Sequence, residues 1–304
     1  MAATPTRPRP SCVTPHRLPS EATAATVPAM FGWLKERLRR GPVVPVVRLS
    51  GVIAAGGMLG NRGLSIETAA PLLKRAFDMR GIKAVALAIN SPGGSPVQSA
   101  LIGQRIRLLA DEKGLQVIAF VEDVAASGGY WLACAADEIV ADASSIVGSI
   151  GVISAGFGFQ DLLARWGIER RLHTSGERKS MLDPFRPEKP EDLERLRRLQ
   201  AEIHDGFKDW VRTRRAARLK GDDATLFSGE FWTGRRGLEL GLVDGLGELR
   251  ATLQARYGAK VHLPVIAPRR RLLSRFGLGS AVDEIGPATL AALEERLLWQ
   301  RFGL

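Results

Sequence analysis

Two apolar runs of strand length constrain the fold of this chain more than any other feature. Residues 83–89 read KAVALAI and residues 117–121 read VIAFV. A strand that is apolar along its whole length is expected to be buried on both faces, as in parallel sheets that are covered by helices. Residues 97–113, between the two runs, have apolar positions at helical spacing. We therefore predict an α/β domain with mainly parallel strand pairing.

The rest of the chain extends this alternation of strands and helices. Further strands are predicted at 46–49, 138–141 and 168–174, and further helices at 65–79, 127–136, 234–240 and 287–299. Residues 190–219 predict one long charged helix, because apolar residues recur every three to four positions. Two interpretations of its apolar face are open: the face packs on the body of the protein, or a neighbouring subunit covers it.

Basic charge is concentrated towards the N-terminus of a chain whose net charge is +11. We divide the sequence into a disordered extension (1–29), a basic amphipathic segment (30–42), a folded domain (43–265) and a C-terminal helical appendage (266–304). The basic termini suit peripheral contact with an anionic membrane better than binding of nucleic acid. The sequence has neither a transmembrane-length apolar run nor a secretory signal, so we expect a cytoplasmic protein, peripheral on the inner membrane.

A serine stands where the second apolar strand gives way to a helix, in the sequence Ala126-Ser127-Gly128-Gly129. This position places the Ser127 hydroxyl at a helix N-terminus, where backbone N–H groups can stabilise a developing oxyanion. Glycines directly after the serine let a substrate backbone approach closely. The alternative interpretation is a serine that only caps the helix.

A second glycine-rich turn, NSPGG at 90–94, follows the strand at 83–89. Because ligands bind at the carboxyl ends of strands in α/β sheets, this turn and Ser127 are expected at the same edge. The Gly93-Gly94 pair can offer a second N–H group to an oxyanion.

A serine nucleophile needs a general base. None of the four histidines lies in a glycine-rich turn beside an acidic partner, so a Ser-His-Asp triad is poorly supported; they are His16, His173, His204 and His262. A lysine made neutral by burial is the other option, but composition does not select one. The two cysteines, Cys12 and Cys134, lack the spacing of a disulfide framework or a zinc site.

Five ordered blocks resemble the signal peptide peptidase A family of bacterial serine peptidases, which includes protease IV and SohB-like proteins. They are NSPGG at 90–94, ASGGYW at 126–131, GSIGV at 148–152, SGERKSMLDPF at 175–185 and FSGEFWTGRRGLELGLVDGLG at 227–247. The resemblance covers residues 43–260, the greater part of the predicted domain. It implies a Clp/crotonase-like ββα spiral and a homo-oligomer.

The resemblance also implies roles for individual residues. Ser127 corresponds to the nucleophile and Lys179 to the general base, while Ser149 orients the lysine. The N–H groups of Gly94 and Gly128 correspond to the oxyanion hole. On the residues alone, the favoured interpretation of Lys179 is a solvated loop lysine between Arg178 and Ser180.

The expected function is that of a serine endopeptidase with a Ser-Lys dyad, which hydrolyses peptides through an acyl-enzyme without metal or cofactor. The expected substrates are signal-peptide remnants or other membrane-proximal or cytosolic peptides. Two alternatives belong to other classes: a crotonase-type acyl-CoA enzyme, and a catalytically inactive membrane-associated scaffold.

Overall fold

One sheet contains the strands of the described part of the chain. A computed structural model describes residues 41–55, 63–267, 296 and 298–303. Its strands are β1 (Val46–Ser50), β2 (Ala84–Ser91), β3 (Gln116–Ala126), β4 (Glu138–Ala141), β5 (Ile146–Gly148), β6 (Phe231–Thr233), β7 (Gly245–Leu246) and β8 (Val265–Ile266). Their pairing is parallel except between β5 and β6. The prediction of an α/β domain with mainly parallel pairing is confirmed.

The two halves of β3 have different neighbours on one side. Residues 118–121 pair with β4, whereas residues 124–126 pair with β5. On its other side β3 pairs with β2 along most of its length. The sheet therefore divides at β3, where β4 continues one branch and β5 continues the other. A parallel α/β sheet that branches in this way accords with the Clp/crotonase-like fold that the resemblance implies.

Helices connect the strands of the sheet. They are α1 (Ile66–Phe77), α2 (Pro96–Lys113), α3 (Gly128–Cys134), α4 (Gln160–Arg165), α5 (Pro190–Arg215), α6 (Asp223–Leu226), α7 (Gly234–Glu239) and α8 (Leu249–Tyr257). Ser95 caps α2 by accepting a hydrogen bond from the Gln98 N–H, which serine does well at an N-cap. This cap starts α2 directly after the glycine-rich turn at 90–94.

The two faces of β2 belong to different apolar clusters. Val85, Leu87 and Ile89 pack in the cluster that includes α1, α2 and α3. Their neighbours Ala84, Ala86 and Ala88 pack on the opposite face, with Leu253 of α8. Each large side chain buried in this way contributes about 1.5–3 kcal/mol. Burial on both faces explains why the KAVALAI run carries no alternation of polar residues.

Two sequence predictions differ from the structure. The strand predicted at 168–174 is wrong, because this segment is irregular and exposed, and none of the strands in the described residues pairs with it. Its charged side chains form local ion pairs instead, such as Arg171 with Glu169. The long helix was predicted to reach residue 219 but ends at Arg215, because Ala216 has a positive φ of 42° and begins a 3-10 turn.

Helix α5 buries its large apolar side chains on the body of the protein towards its C-terminal end. Phe207 and Val211 are buried there, whereas Leu199 and Ile203 nearer the N-terminus are exposed. The packing interpretation therefore holds for one half of the helix. Segment 1–29 and most of 30–42 and 266–304, which includes most of the helix predicted at 287–299, lie outside the described residues.

The hydropathy of the helices bears on membrane association. Among the described residues, none of the helices combines the length and the apolar character that crossing a bilayer requires.

Candidate active site

Ser127 occupies a strained turn between β3 and α3. Its backbone has φ 52° and ψ −121°, a conformation that costs a residue with a side chain of order 1–3 kcal/mol. The Ser127 N–H donates to the Gly148 carbonyl over 2.8 Å. Its side chain makes no capping hydrogen bond to the helix. This geometry argues against a serine that only caps α3, since the hydroxyl is left available for another role.

The glycine-rich turn at 90–94 lies directly against Ser127. A Cβ atom added to Gly93 would come within 2.7 Å of the Gly128 nitrogen and 2.8 Å of the Ser127 Cβ. The turn is held by the Ile53 N–H, which donates to the Gly93 carbonyl over 2.8 Å. The hydroxyl of Ser91 accepts from the Gly93 N–H at 3.2 Å. The structure thus brings together the two turns that the sequence placed at one edge.

Gly94 and Gly128, the predicted oxyanion residues, are both packed too tightly for a side chain. A Cβ at Gly94 would lie 2.1 Å from the Ile53 carbonyl oxygen, and one at Gly128 would lie 2.4 Å from the Ser99 hydroxyl. Within the described residues, the turn and loop hydrogen bonds include none donated by either backbone N–H. Both groups are therefore free to donate to a substrate oxyanion. Their assignment to the oxyanion hole stays a prediction.

Ser149 lines the same cavity as Ser127. The cavity has a volume of about 350 Å³. Ser149 is buried and, like Ser127, has φ 52°. Its N–H donates to the Glu230 carbonyl over 2.7 Å. A larger cavity, of about 540 Å³, contains none of the predicted site residues.

Lys179 lies apart from this cavity. It is exposed, in a turn where its N–H donates to the Gly176 carbonyl over 3.2 Å. The residues that line the cavity with Ser127 and Ser149 do not include it. The described part of the chain therefore brings Ser127, Ser149 and the turn at 90–94 together, but it does not bring Lys179 to them. The catalytic role of Lys179 stays a prediction.

Sequence reasoning missed several residues that line the cavity. They are Gly151, Val152, Ile153, His204, Ser228, Gly229 and Arg301. His204 is one of the four histidines that the sequence does not favour as a general base. The sequence did contain a signal for its position. His204 precedes the buried Phe207 by three residues and Val211 by seven, and that spacing places all three on one helix face.

A buried polar network supports the helix that begins after Ser127. The Tyr130 hydroxyl donates to the Leu242 carbonyl over 2.7 Å. Arg215 donates to both carboxylate oxygens of Asp244, over 2.7 and 2.9 Å. Burial raises the pKa of the Cys134 thiol, on the same helix, to about 12. The network joins α3, which begins after Ser127, to α5 and the loop before β7.

A family model described as Peptidase family S49 matches residues 110–261. The chain belongs to this peptidase family. The match takes in the branching strand, Ser127, Ser149 and Lys179. The resemblance to signal peptide peptidase A, protease IV and SohB-like proteins is confirmed.

Individual relatives of this S49 chain carry different names. It is 34% identical over 229 residues to a putative protease of Synechocystis, covering 80% of that protein and 73% of this chain. It is 32% identical over 225 residues to the chloroplastic serine protease SPPA of Arabidopsis thaliana, covering 33% of that protein and 72% of this chain.

A further relative is named for transport. The chain is 53% identical over 272 residues to a protein of Brucella abortus named Na(+)/H(+) antiporter NhaA. The match covers 86% of this chain but only 37% of that protein. Most of the antiporter-named protein therefore lies outside the matched stretch, whereas the stretch itself corresponds to an S49 peptidase.

Proposed function

We propose that this protein is a serine endopeptidase that cleaves peptides through an acyl-enzyme on Ser127. The observation that supports the proposal most directly is the uncapped Ser127 hydroxyl, in a strained turn packed against Gly93. The adjacent N–H groups of Gly94 and Gly128 would stabilise the tetrahedral oxyanion. Loss of one donor of this kind costs roughly 10²–10³ in rate.

Lys179 is the proposed general base. Its neutral amine accepts the proton of Ser127 as the serine oxygen attacks the peptide carbonyl, and it then protonates the leaving amine. In the second half-reaction the same amine accepts a proton from the water that attacks the ester, and it returns that proton to the Ser127 oxygen as the ester bond breaks, which releases the acid and free Ser127. Ser149 would hold the lysine in place. The proposed substrates are signal-peptide remnants or other membrane-proximal or cytosolic peptides.

The exposed position of Lys179 means that a further step completes the site. Either its own segment closes over the cavity, or Lys179 of a neighbouring copy reaches Ser127 in a homo-oligomer. Mixing Ser127→Ala with Lys179→Ala protein under subunit exchange separates the two. Sites completed between copies would restore about a quarter of the activity in a randomly mixed ring, whereas sites completed within one chain would restore none.

Covalent labelling tests the central claim. A fluorophosphonate probe is applied to wild type, Ser127→Ala and Lys179→Ala, with Ser144→Ala and Lys83→Ala as exposed controls. We expect labelling of wild type and both controls, none of Ser127→Ala, and strongly slowed labelling of Lys179→Ala. Labelling that persists in Ser127→Ala would contradict the assignment of the nucleophile.

Hydrolysis assays distinguish the two rival functions. An acyl-CoA enzyme would turn over thioesters, and its activity would survive Ser127→Ala. An inactive scaffold, peripheral on a membrane through its basic termini, would not react with the probe even as wild type. We expect hydrolysis of a peptide library and no turnover of acyl-CoA.

A further inference from the structure

Ser149 and residues 151–153 line the cavity, and the backbone at 148–150 is held by three hydrogen bonds. The Gly148 carbonyl accepts from the Ser127 N–H at 2.8 Å, and the Ser149 N–H donates to the Glu230 carbonyl at 2.7 Å. The Ile150 carbonyl lies 3.1 Å from Nε2 of His204. Two of the bonds join backbone to backbone, and the third depends on a single side chain.

We propose that His204 is a positioning residue of the peptidase site, acting on Ser127 and Ser149 through its hydrogen bond to the Ile150 carbonyl. The inference rests on the proposed function, since it concerns how Ser127 and Ser149 are held in position in the same site. It gives a role to the one histidine that lines the cavity within the described residues.

The chemistry of this contact defines the form of the imidazole. A carbonyl oxygen can only accept, so Nε2 must carry the proton and donate it. Both the neutral Nε2–H tautomer and the imidazolium have this donor, so the hydrogen bond survives protonation of the ring. Ile150 is fully buried. Loss of the donor would leave its carbonyl short of a partner, which displaces the segment or weakens its packing.

Helix α5 provides a rigid base for His204. One turn further along, Phe207 is buried and stacks on Trp131, with ring centroids 4.8 Å apart. The indole N–H of Trp210 donates to the Trp131 carbonyl over 3.0 Å. Trp131 lies on α3, one turn after Ser127. Helix α5 is therefore hydrogen-bonded both to the helix that follows Ser127 and, through His204, to the Ile150 carbonyl.

Strain at Ser149 explains why the segment needs such a restraint. Its φ of 52° is one that a residue with a side chain adopts only when its surroundings hold it there. The bonds at Ser149 N–H and the Ile150 carbonyl flank the strained unit on both sides. Without the second bond, the Ser149 hydroxyl and the carbonyl that holds the Ser127 N–H are free to relax away from the reactive geometry.

Two substitutions separate the donor from the shape of the ring. His204→Phe keeps an aromatic ring without a donor, and His204→Gln keeps an N–H₂ group at a similar reach without the ring. Glu202→Gln, an exposed change on the same helix, is the control. Fluorophosphonate labelling rates, kcat and KM for a peptide substrate, and the thermal midpoint are measured for each.

We expect His204→Phe to slow labelling and lower kcat about five- to tenfold with little change in KM, because a displaced site loses reactivity more than binding. His204→Gln is expected within about threefold of wild type, with the same dependence of rate on pH. The imidazole nitrogen-15 spectrum should show the Nε2–H tautomer for His204.

Three outcomes would overturn the inference. Equal rates in His204→Phe and wild type would remove any role in positioning. Loss of labelling in both variants would make His204 the base instead. If both variants reacted more slowly than wild type and both also had a lower thermal midpoint, the effect of His204 would be on stability and not on positioning. Failure of the proposed function is distinguishable, since wild type would then not label at Ser127 at all.

Discussion

Ser127 and Ser149 share a backbone conformation that side chains rarely adopt. Both have φ 52°, and both line the same cavity. Backbone strain of this kind persists only where surrounding contacts enforce it, and such positions cluster at functional sites. At Ser127 the enforcing contacts are the bond to Gly148 and the packing of Gly93. The turn that aims the hydroxyl therefore depends on residues distant in sequence.

Gly93→Ala is expected to abolish labelling of Ser127, with a loss of at least about 100-fold. The added methyl would stand 2.7 Å from the Gly128 nitrogen and 2.8 Å from the Ser127 Cβ, so the nucleophile or its oxyanion donor must move. Fluorophosphonate labelling rates measure the effect. Gly81→Ala is the matched control, because it has a positive φ of 70° but nothing within 4 Å. Equal losses in both variants would contradict the explanation by close packing.

Cys134 is expected to resist alkylation in the folded protein. Burial raises the pKa of its thiol to about 12, so almost no thiolate exists at pH 8. Iodoacetamide should modify it at least about 100-fold more slowly than in the urea-unfolded chain. Peptide mapping by mass spectrometry separates it from Cys12. Similar rates in the folded and unfolded states would show that the helix after Ser127 is not closed to solvent.

The ion pair of Arg215 with Asp244 joins the end of α5 to the loop that precedes β7. Arg215 is 1% exposed, and it also donates to the Gly241 carbonyl over 2.8 Å. Burial of the Asp244 carboxyl would by itself raise its pKa. Hydrogen bonds from Arg215 and from the Ile139 N–H outweigh that effect, so the pKa of Asp244 lies below its ordinary value. The helix and the loop are therefore coupled by a charge interaction as well as by apolar packing.

Asp244→Asn is expected to lower the free energy of unfolding by about 3–5 kcal/mol, because it leaves a buried guanidinium without a countercharge. Denaturant titration at pH 7 measures the loss. Asp223→Asn removes the exposed partner of Arg212 and should cost about 0–1 kcal/mol. Comparable losses in the two variants would show that burial does not strengthen the first pair.

The same pair predicts a dependence of stability on pH. Since the pKa of Asp244 is lower in the folded than in the unfolded protein, its contribution is present above the unfolded value of about 3.9. It is lost as pH falls through the folded value. The difference between wild type and Asp244→Asn in denaturant titrations should therefore shrink below about pH 4. A difference that stays constant down to pH 2 would argue against the lowered pKa.

Large apolar side chains are concentrated on one exposed segment of the molecule, residues 153–168. Phe157 is 79% exposed and Trp166 is 74% exposed, and Ile153, Leu162 and Ile168 are also exposed. Lys179 lies further along the same stretch of chain, which is irregular except for the short helix α4. Contiguous apolar surface of this kind usually marks an interface. We expect a second copy of the chain to cover it in the proposed homo-oligomer.

Trp166→Glu is expected to weaken self-association by at least about tenfold, because a charge would replace an aromatic anchor of the interface. Sedimentation velocity over a concentration series measures the assembly, and labelling of Ser127 is followed in parallel. Leu108→Glu is the control, since Leu108 is also exposed but lies on α2. Unchanged sedimentation of Trp166→Glu relative to this control would contradict an interface on residues 153–168.

The features that could be predicted from sequence patterns are local. The apolar runs at 83–89 and 117–121 predicted buried strands, and the glycine-rich turns at 90–94 and 127–129 were placed at strand ends, because periodicity and turn chemistry act over a few residues. The resemblance in five blocks then identified the family. The predicted strand at 168–174 failed because an extended segment becomes a strand only when a neighbour pairs with it, which no local pattern records.

Which segments of the chain meet is known only from the folded structure. The contact of Gly93 with Gly128 and Ser127, the bond from His204 to the Ile150 carbonyl and the separation of Lys179 from the cavity all join or divide parts distant in sequence. Such contacts depend on how the sheet branches at β3 and how α5 packs across it. The sequence determines these contacts only through the folding of the whole chain, in which many side chains are buried together. No single motif therefore predicts them.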